Sequence, residues 1–453
     1  MPAEVMPQVP WAQLSAFIAE KMGLHFPPER FTDLQRGLGA AAQEAGFDNL
    51  GDFSHWLLST PISGPQLHAL ASHLTVGETY FFREPKTFAA LAERVLPRLL
   101  DRRRGERRLR VWSAACCSGE EAYSIAILLQ QSIPDWRDWH ITLLATDINE
   151  RFLKKAAAGV YGEWSFRDPP VGLKERYFTR TPEGRYALLP QVKQMVTFAP
   201  LNLAEDRLPS LATQTQAIDL IFCRNVLMYF TPAQAHKVVE KLHRALREDG
   251  WLVTSPSESS RALFFAFEPT DEPGAVFYRK KGIEPPVAAA PSIFVPGESF
   301  EPTTPTAPVE IPTAPMVAEP PPPFSVQARA LANEGQLDRA LKACDRWIAA
   351  EPLDAGARYL RAVVLQELGN LEEARRSLQH TLYLEPGFVL AVVGLGHLAR
   401  GAGKHLEAHR HFSQALTLLR DRAADEPLPE SDGLTAGRLR EILSSLLAIE
   451  TAA

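Results

Sequence analysis

The stretch Val111-Trp112-Ser113-Ala114-Ala115-Cys116-Cys117-Ser118-Gly119-Glu120-Glu121-Ala122-Tyr123-Ser124 decides the fold. The apolar run Leu109–Ser113 predicts a buried strand, the small residues that follow predict a tight turn, and a helix opens at the two glutamates. Small side chains after a strand let the backbone approach a ligand closely. A pyrophosphate would need the positive end of that helix, which two acidic side chains oppose. Glu120 and Glu121 suit a cation instead, such as the ammonium or sulfonium of S-adenosylmethionine.

Outward from this run, strands are predicted at Ile141–Thr146, Met195–Ala199, Ile218–Cys223, Trp251–Thr254 and Ala275–Arg279, with helical stretches between several of them. The alternation predicts an α/β domain with a mostly parallel, Rossmann-like sheet over 76–282. Such sheets hold ligands beyond the C-terminal ends of their strands. The second strand ends at Asp147, placed to accept hydrogen bonds from ribose hydroxyls; it also reads as an N-cap for a helix near Asn149, and the two roles are compatible. The third runs into Asn202 and Leu203, an amide and an apolar side chain suited to adenine's edge and face. The fourth runs into Arg224 and Asn225, polar groups beside the reacting centre. Before the sheet, patterns at Trp11–Met22, Pro27–Ala45, Gly51–Leu58 and Gly64–Leu74 predict an all-α subdomain over 1–75.

The C-terminal part repeats. Gly335, Gly369 and Gly403 are spaced by 34 residues, as are Ala340, Ala374 and Ala408; Ala328, Ala362 and Gly396 share the register, as do Pro352 and Pro386. That period resembles the tetratricopeptide helix–turn–helix repeat, in which small residues let paired helices approach and glycine and proline end them. An α-helical repeat domain is therefore expected over 325–453, with a capping helix around Leu434–Ile449. The proline-rich residues 283–324 read as a linker.

A net charge of -6 gives no bulk attraction to nucleic acid. The start MPAEVMPQVPW lacks the basic and apolar segments of a secretory signal, and no apolar run approaches the roughly 18 residues of a membrane span. Cys116, Cys117, Cys223 and Cys344 form no CxxC or zinc spacing. A cytoplasmic protein is expected, without direct membrane insertion.

The runs Leu74–Arg83, Val111–Ser124, Ala145–Ile148 and Ile221–Phe230 together resemble those of CheR-type chemoreceptor methyltransferases, over roughly residues 10–280. The resemblance implies transfer of methyl groups from S-adenosyl-L-methionine to glutamates on methyl-accepting chemoreceptor helices. By position, Thr79 and Arg83 would reach the donor from the border of the helical subdomain. Glu120 would hold the methionine ammonium, with Glu121 the second choice, and Asp147 the ribose. Asn202, Leu203, Arg224 and Asn225 would line the adenine and methyl end. Residues 159–194, with β-like runs at Arg176–Thr181 and Arg185–Leu189, match the place of a small antiparallel flap that in the family binds a receptor tail by strand addition. Two departures stand out: Gly77 where the family often has Asn, and Ser255-Pro256-Ser257-Glu258 for its Gly-His-Ser-Glu. The fusion to repeats resembles receptor methyltransferases of alternative chemosensory systems and implies a protein or peptide partner for the repeats.

Other features have plainer readings. The arginines at 102–104, 107, 108 and 110 read as a solvated helix end, with attraction of acidic receptor helices as the alternative. His405, His409 and His411 fall on a repeat helix and miss the HExxH spacing by one place. Asp168-Pro169-Pro170-Val171 lacks the aromatic residue of the DNA amino-methylating motif and reads as a turn. A carboxylate acceptor is ionised at neutral pH, so no catalytic acid or base is assigned. Two competing functions remain: a methyltransferase of a small molecule or nucleic acid on the same donor site, and a non-catalytic donor-binding scaffold with repeat-mediated partner binding.

Overall fold

The computed structural model describes residues 9–280, apart from 205–207, 211–212 and 273, and residues 324–450, apart from 334–335 and 432. The linker expected over 283–324 lies outside the described residues except for Phe324, and so does Gly335 of the repeat register.

Four helices, α1 (Trp11–Met22), α2 (Phe31–Glu44), α3 (Leu50–Ser59) and α4 (Gly64–Leu74), form the N-terminal subdomain, close to the expected bounds. Helix α3 is capped by Asn49, whose side chain accepts the Asp52 N–H, and α4 by a Ser63–Gln66 capping box. Two more helices, α5 (Pro85–Ala90) and α6 (Leu96–Arg103), lead through a π-helical turn into the sheet.

The main sheet has seven strands: β1 (Arg108–Ala114), β2 (His140–Asp147), β6 (Val196–Pro200), β7 (Ile218–Cys223), β8 (Leu246–Thr254), β9 (Phe267–Glu272) and β10 (Ala275–Lys280). Their order is β6-β2-β1-β7-β8-β10-β9. The first five are joined in parallel, and β10 and β9 add antiparallel. Three short strands, β3 (Val160–Tyr161), β4 (Phe178–Arg180) and β5 (Tyr186–Leu188), pair as a separate antiparallel flap, as expected within 159–194. Arg176 and Tyr177, read as strand, belong instead to helix α9 (Leu173–Tyr177). Helices α7 (Glu120–Ser132), α8 (Glu150–Ala158), α10 (Pro190–Lys193) and α11 (Pro232–Ala245) complete the domain. Two cores result: one joins α7, α8 and the flap to the sheet, and the other joins the N-terminal helices and α11 to it. Every residue of β1 and β7 is buried, including the charged Arg108, Arg110 and Asp219, which interrupt their apolar texture near the strand starts.

Three helical pairs follow: α12 (Phe324–Asn333) with α13 (Leu337–Ala350), α14 (Ala355–Glu367) with α15 (Leu371–Leu384), and α16 (Val389–Gly401) with α17 (His405–Leu419). Helix α18 (Ala436–Glu450) packs on α17 as the expected cap. Gly369 and Gly403 take left-handed φ of 80° and 73° between paired helices, and Ala328, Ala340, Ala362, Ala374 and Ala408 are buried. These features make a tetratricopeptide-like domain. Residues 427–431, between α17 and α18, fold back over the first helices of all three pairs. Its Glu430 pairs with Arg329 of α12 and lies against Gly356 of α14, while Leu428 joins the core around Phe388 and Leu390. Among the described residues no helix is long and apolar enough to cross a membrane.

Five of the six arginines in the run meet carboxylates of this chain. Arg102 meets Asp249, Arg103 meets Asp219, and Arg107 lies near Asp135 and Asp138. Arg108 and Arg110, both buried, share Glu367 of α14, so the repeats dock against the start of β1. This is a structural cluster. The histidines of α17 form no metal-binding group among the described residues, and Asp168–Val171 is a bend closed by the Leu173 N–H on the Pro170 carbonyl.

Candidate active site

The strand order reverses between β2 and β7 on either side of β1, and a cleft lies at the C-terminal ends of these strands. Its volume, open mouth included, is ≈ 1090 Å³. The N-terminal subdomain closes one side of it. Leu24 bridges to Phe230, the His25 N–H donates to the Tyr229 carbonyl at 2.7 Å, and Asn202 Nδ2 donates to the Lys21 carbonyl at 2.7 Å.

Thr79, Arg83, Asp147, Asn202, Leu203, Arg224 and Asn225 all line this cleft. Glu120 does not. The loop after β1 curls through left-handed φ at Ala115, Cys117 and Gly119, and an added Cβ at Gly119 would sit 2.7 Å from that of Ala156. Helix α7 therefore starts with Glu120 turned inward, 1% exposed, between the hydroxyls of Ser118 (2.7 Å) and Ser165 (2.9 Å). Burial raises its pKa. One residue on, a helical step of about 100° brings Glu121 to the cleft wall. Glu121 accepts from Ser113 Oγ at 2.8 Å and Arg224 Nη1 at 3.1 Å.

Asp147 is pinned by backbone donors: Cys117 N–H on Oδ2 and Asn149 N–H on Oδ1, both at 2.8 Å. Burial nevertheless pushes its carboxyl up to about 6, with these donors pulling the other way. The N-cap of α8 is Asn149, whose side chain accepts from Arg151 and Phe152, so Asp147 is not the cap. Arg224 has a side chain 1% exposed and is held by Glu84 (2.9 Å), Glu121 and the Arg83 carbonyl (2.7 Å). Asn225 takes a left-handed φ of 56°, fixed by Glu258 accepting its N–H at 2.6 Å and that of Val226 at 2.8 Å. Ser255 Oγ accepts from Asn225 Nδ2 at 2.9 Å, so the unusual Ser255–Glu258 segment still braces this loop.

The loop bearing Thr79 and Arg83 is anchored by two phenylalanines. Phe81 is fully buried among Tyr161, Phe166 and Phe178, and the Phe82 N–H donates to Ser124 Oγ at 2.9 Å. Arg83 Nη1 donates to the Glu78 carbonyl at 2.7 Å. Sequence reasoning missed the lining residues Phe26, Arg30, Val76, Phe152 and Tyr229. Tyr229 sits inside the Ile221–Phe230 run and was open to notice; Arg30 carries no local signal. Burial raises the thiols of Cys116 and Cys117, the latter to about 12, so both are neutral and poor nucleophiles.

Residues 77–270 match the family of the CheR methyltransferase SAM-binding domain. Over 369 residues the chain is 31% identical to the probable biofilm formation methyltransferase WspC of Pseudomonas aeruginosa, covering 76% of this chain and 84% of that protein. The chain belongs to the CheR methyltransferase family. The protein of the same name in Pseudomonas putida is 30% identical over 418 residues, 87% of this CheR-family chain and 95% of the relative. Chemotaxis protein methyltransferase 2 of Vibrio cholerae is 37% identical over 205 residues, 45% of this chain and 70% of the relative.

The methyl donor of the CheR family is S-adenosylmethionine, and the cleft fits it. The volume suffices for a nucleoside joined to an amino acid, since ligand pockets run from about 300 to 1,000 Å³. Of the three carboxylates in the lining, Glu78, Glu121 and Asp147, the last two would suit an ammonium and ribose hydroxyls. Leu201 and Leu203 offer apolar surface for a base.

Proposed function

We propose that this CheR-family enzyme methylates glutamate side chains on a helical chemoreceptor, giving γ-methyl esters. In this reading Asp147 binds the donor's ribose and Glu121, in place of Glu120, its ammonium. Asn202 and Leu203 face the adenine, and Thr79, Arg83, Arg224 and Asn225 the methionine and methyl end.

One observation carries the acceptor assignment: Arg30, which also meets Asp33, and Arg83, from two separate elements, border the cleft, while the third lining arginine, Arg224, is held by Glu84 and Glu121. Two guanidinium groups favour an anionic acceptor. A glutamate is ionised at neutral pH, with an ordinary pKa near about 4.3, so transfer needs oxygen, methyl and sulfur aligned rather than a base. The relative from Vibrio cholerae carries the name of a chemotaxis protein methyltransferase, which supports a receptor acceptor. The division at residues 75, 282 and 324, a cytoplasmic location, and a protein or peptide partner for the repeats belong to the same proposal.

The test is incubation with methyl-labelled donor and co-encoded receptors. Label on the receptor should leave as methanol after mild alkali and map to glutamate. Alkali-stable label, or label in nucleic acid or a small molecule, would overturn the acceptor reading.

A further inference from the structure

The last helix of the repeat domain reaches the elements that carry the donor cleft. Helix α18 touches α4, α8 and β6. Each leads into, or follows, a stretch of cleft wall: α4 runs into Thr75 and Val76, α8 follows Asp147 and Ile148 and carries Phe152, and β6 runs into Leu201 and Asn202.

Polar contacts, with one peptide link between Glu150 and Asn149, lead from α18 to Asp147. Glu441 Oε1 accepts the Gly64 N–H, at the start of α4, at 2.9 Å. Arg438 Nη1 donates to Glu441 Oε2 at 3.0 Å and approaches His68 Nε2 at 3.5 Å. On the other side of the ring, His68 Nδ1 lies 2.5 Å from Glu150 Oε1. His68 is buried, and Glu150 is half-buried. Glu150 opens α8 directly after Asn149. Asn149 in turn joins Thr75 Oγ1 (2.8 Å from its Nδ2) to Asp147 Oδ1 (2.8 Å from its N–H). The approach at Gly64 is close: an added Cβ there would lie 1.9 Å from the Glu441 carboxyl.

We propose that α18 is a brace of the donor site, with Arg438 and Glu441 as positioning residues. They hold α4 and α8 together, and through Asn149 they set the orientation of Asp147 in the cleft. Neither residue lines the cleft, so their effect passes through the helices alone. The repeat domain thereby contributes to donor affinity as well as to any partner it recruits. This rests on the donor-site reading above.

The test uses the full chain. Arg438→Ala/Glu441→Ala should raise the donor's Kd and KM about five- to thirtyfold while kcat stays within twofold. Arg438→Lys/Glu441→Gln, which keeps a donor and an acceptor in place, should recover most of the affinity. Without any ligand, backbone hydrogen exchange over residues 64–75 and 147–158 should quicken in the double alanine variant. Donor affinity within twofold of the parent, with unchanged exchange in those segments, would overturn the brace. A fall in kcat with affinity intact would do the same. If the parent chain itself binds no donor, the site assignment fails first and the brace with it.

Discussion

The ring of Phe152 fills the space that a side chain at Gly77 would need: an added Cβ would lie 2.5 Å from its Cζ. Gly77→Asn should therefore displace Phe152 and weaken donor binding, and Gly77→Asn/Phe152→Ala should regain part of the loss. A double-mutant cycle by calorimetry should give a coupling of roughly 0.5–3 kcal/mol. Additive effects would separate the two positions.

In the proposed donor site, Asp147→Ala removes a charge-assisted contact to ribose hydroxyls. A hydrogen bond to a charged group contributes about 1.5–3 kcal/mol, so donor affinity should fall roughly 10- to 150-fold. Calorimetry on a variant with unchanged circular dichroism checks this. Unchanged affinity would remove Asp147 from the site.

The same residue makes binding depend on pH. Free Asp147 has its carboxyl raised to about 6 by burial. Ribose hydroxyls donate to the ionised form and so lower the pKa on binding. Affinity should be full well above pH 6 and should fall as pH drops through about 6, with proton release on binding in that range. Titrations in buffers of different ionisation heat would detect that release. Flat affinity from pH 5 to 8 would show that Asp147 stays ionised without the donor.

Glu120 and Glu121 should separate cleanly. Glu121→Gln, on the cleft wall, should weaken donor binding about tenfold or more with little change in Tm. Glu120→Gln, held by Ser118 and Ser165 behind the wall, should alter Tm and leave donor affinity near the parent value. The reverse pattern would restore Glu120 as the ammonium ligand.

Much of this was readable from the sequence, for physical reasons. Strands β1, β2, β6, β7 and β8 are apolar runs ending in distinctive residues, so both the strands and their ligand-facing ends were visible. Strand β9 was not: Phe267-Glu268-Pro269-Thr270-Asp271-Glu272 is acidic and holds a proline, as an antiparallel edge strand allows. The choice between two adjacent glutamates was out of reach, because the phase of α7 is set by the left-handed turn at Gly119. The docking of α18 was equally hidden. It depends on a few polar side chains, with Gly64 and Glu441 separated by 377 positions.

Residues 427–431 lie over the first helices of all three repeat pairs, with Glu430 on Arg329. Joined to the stack at both ends, they are a competitor whose local concentration never dilutes. Any ligand of Arg329 would have to displace Glu430 first, so its affinity would be scaled down by the fraction of the chain in which that pair is open.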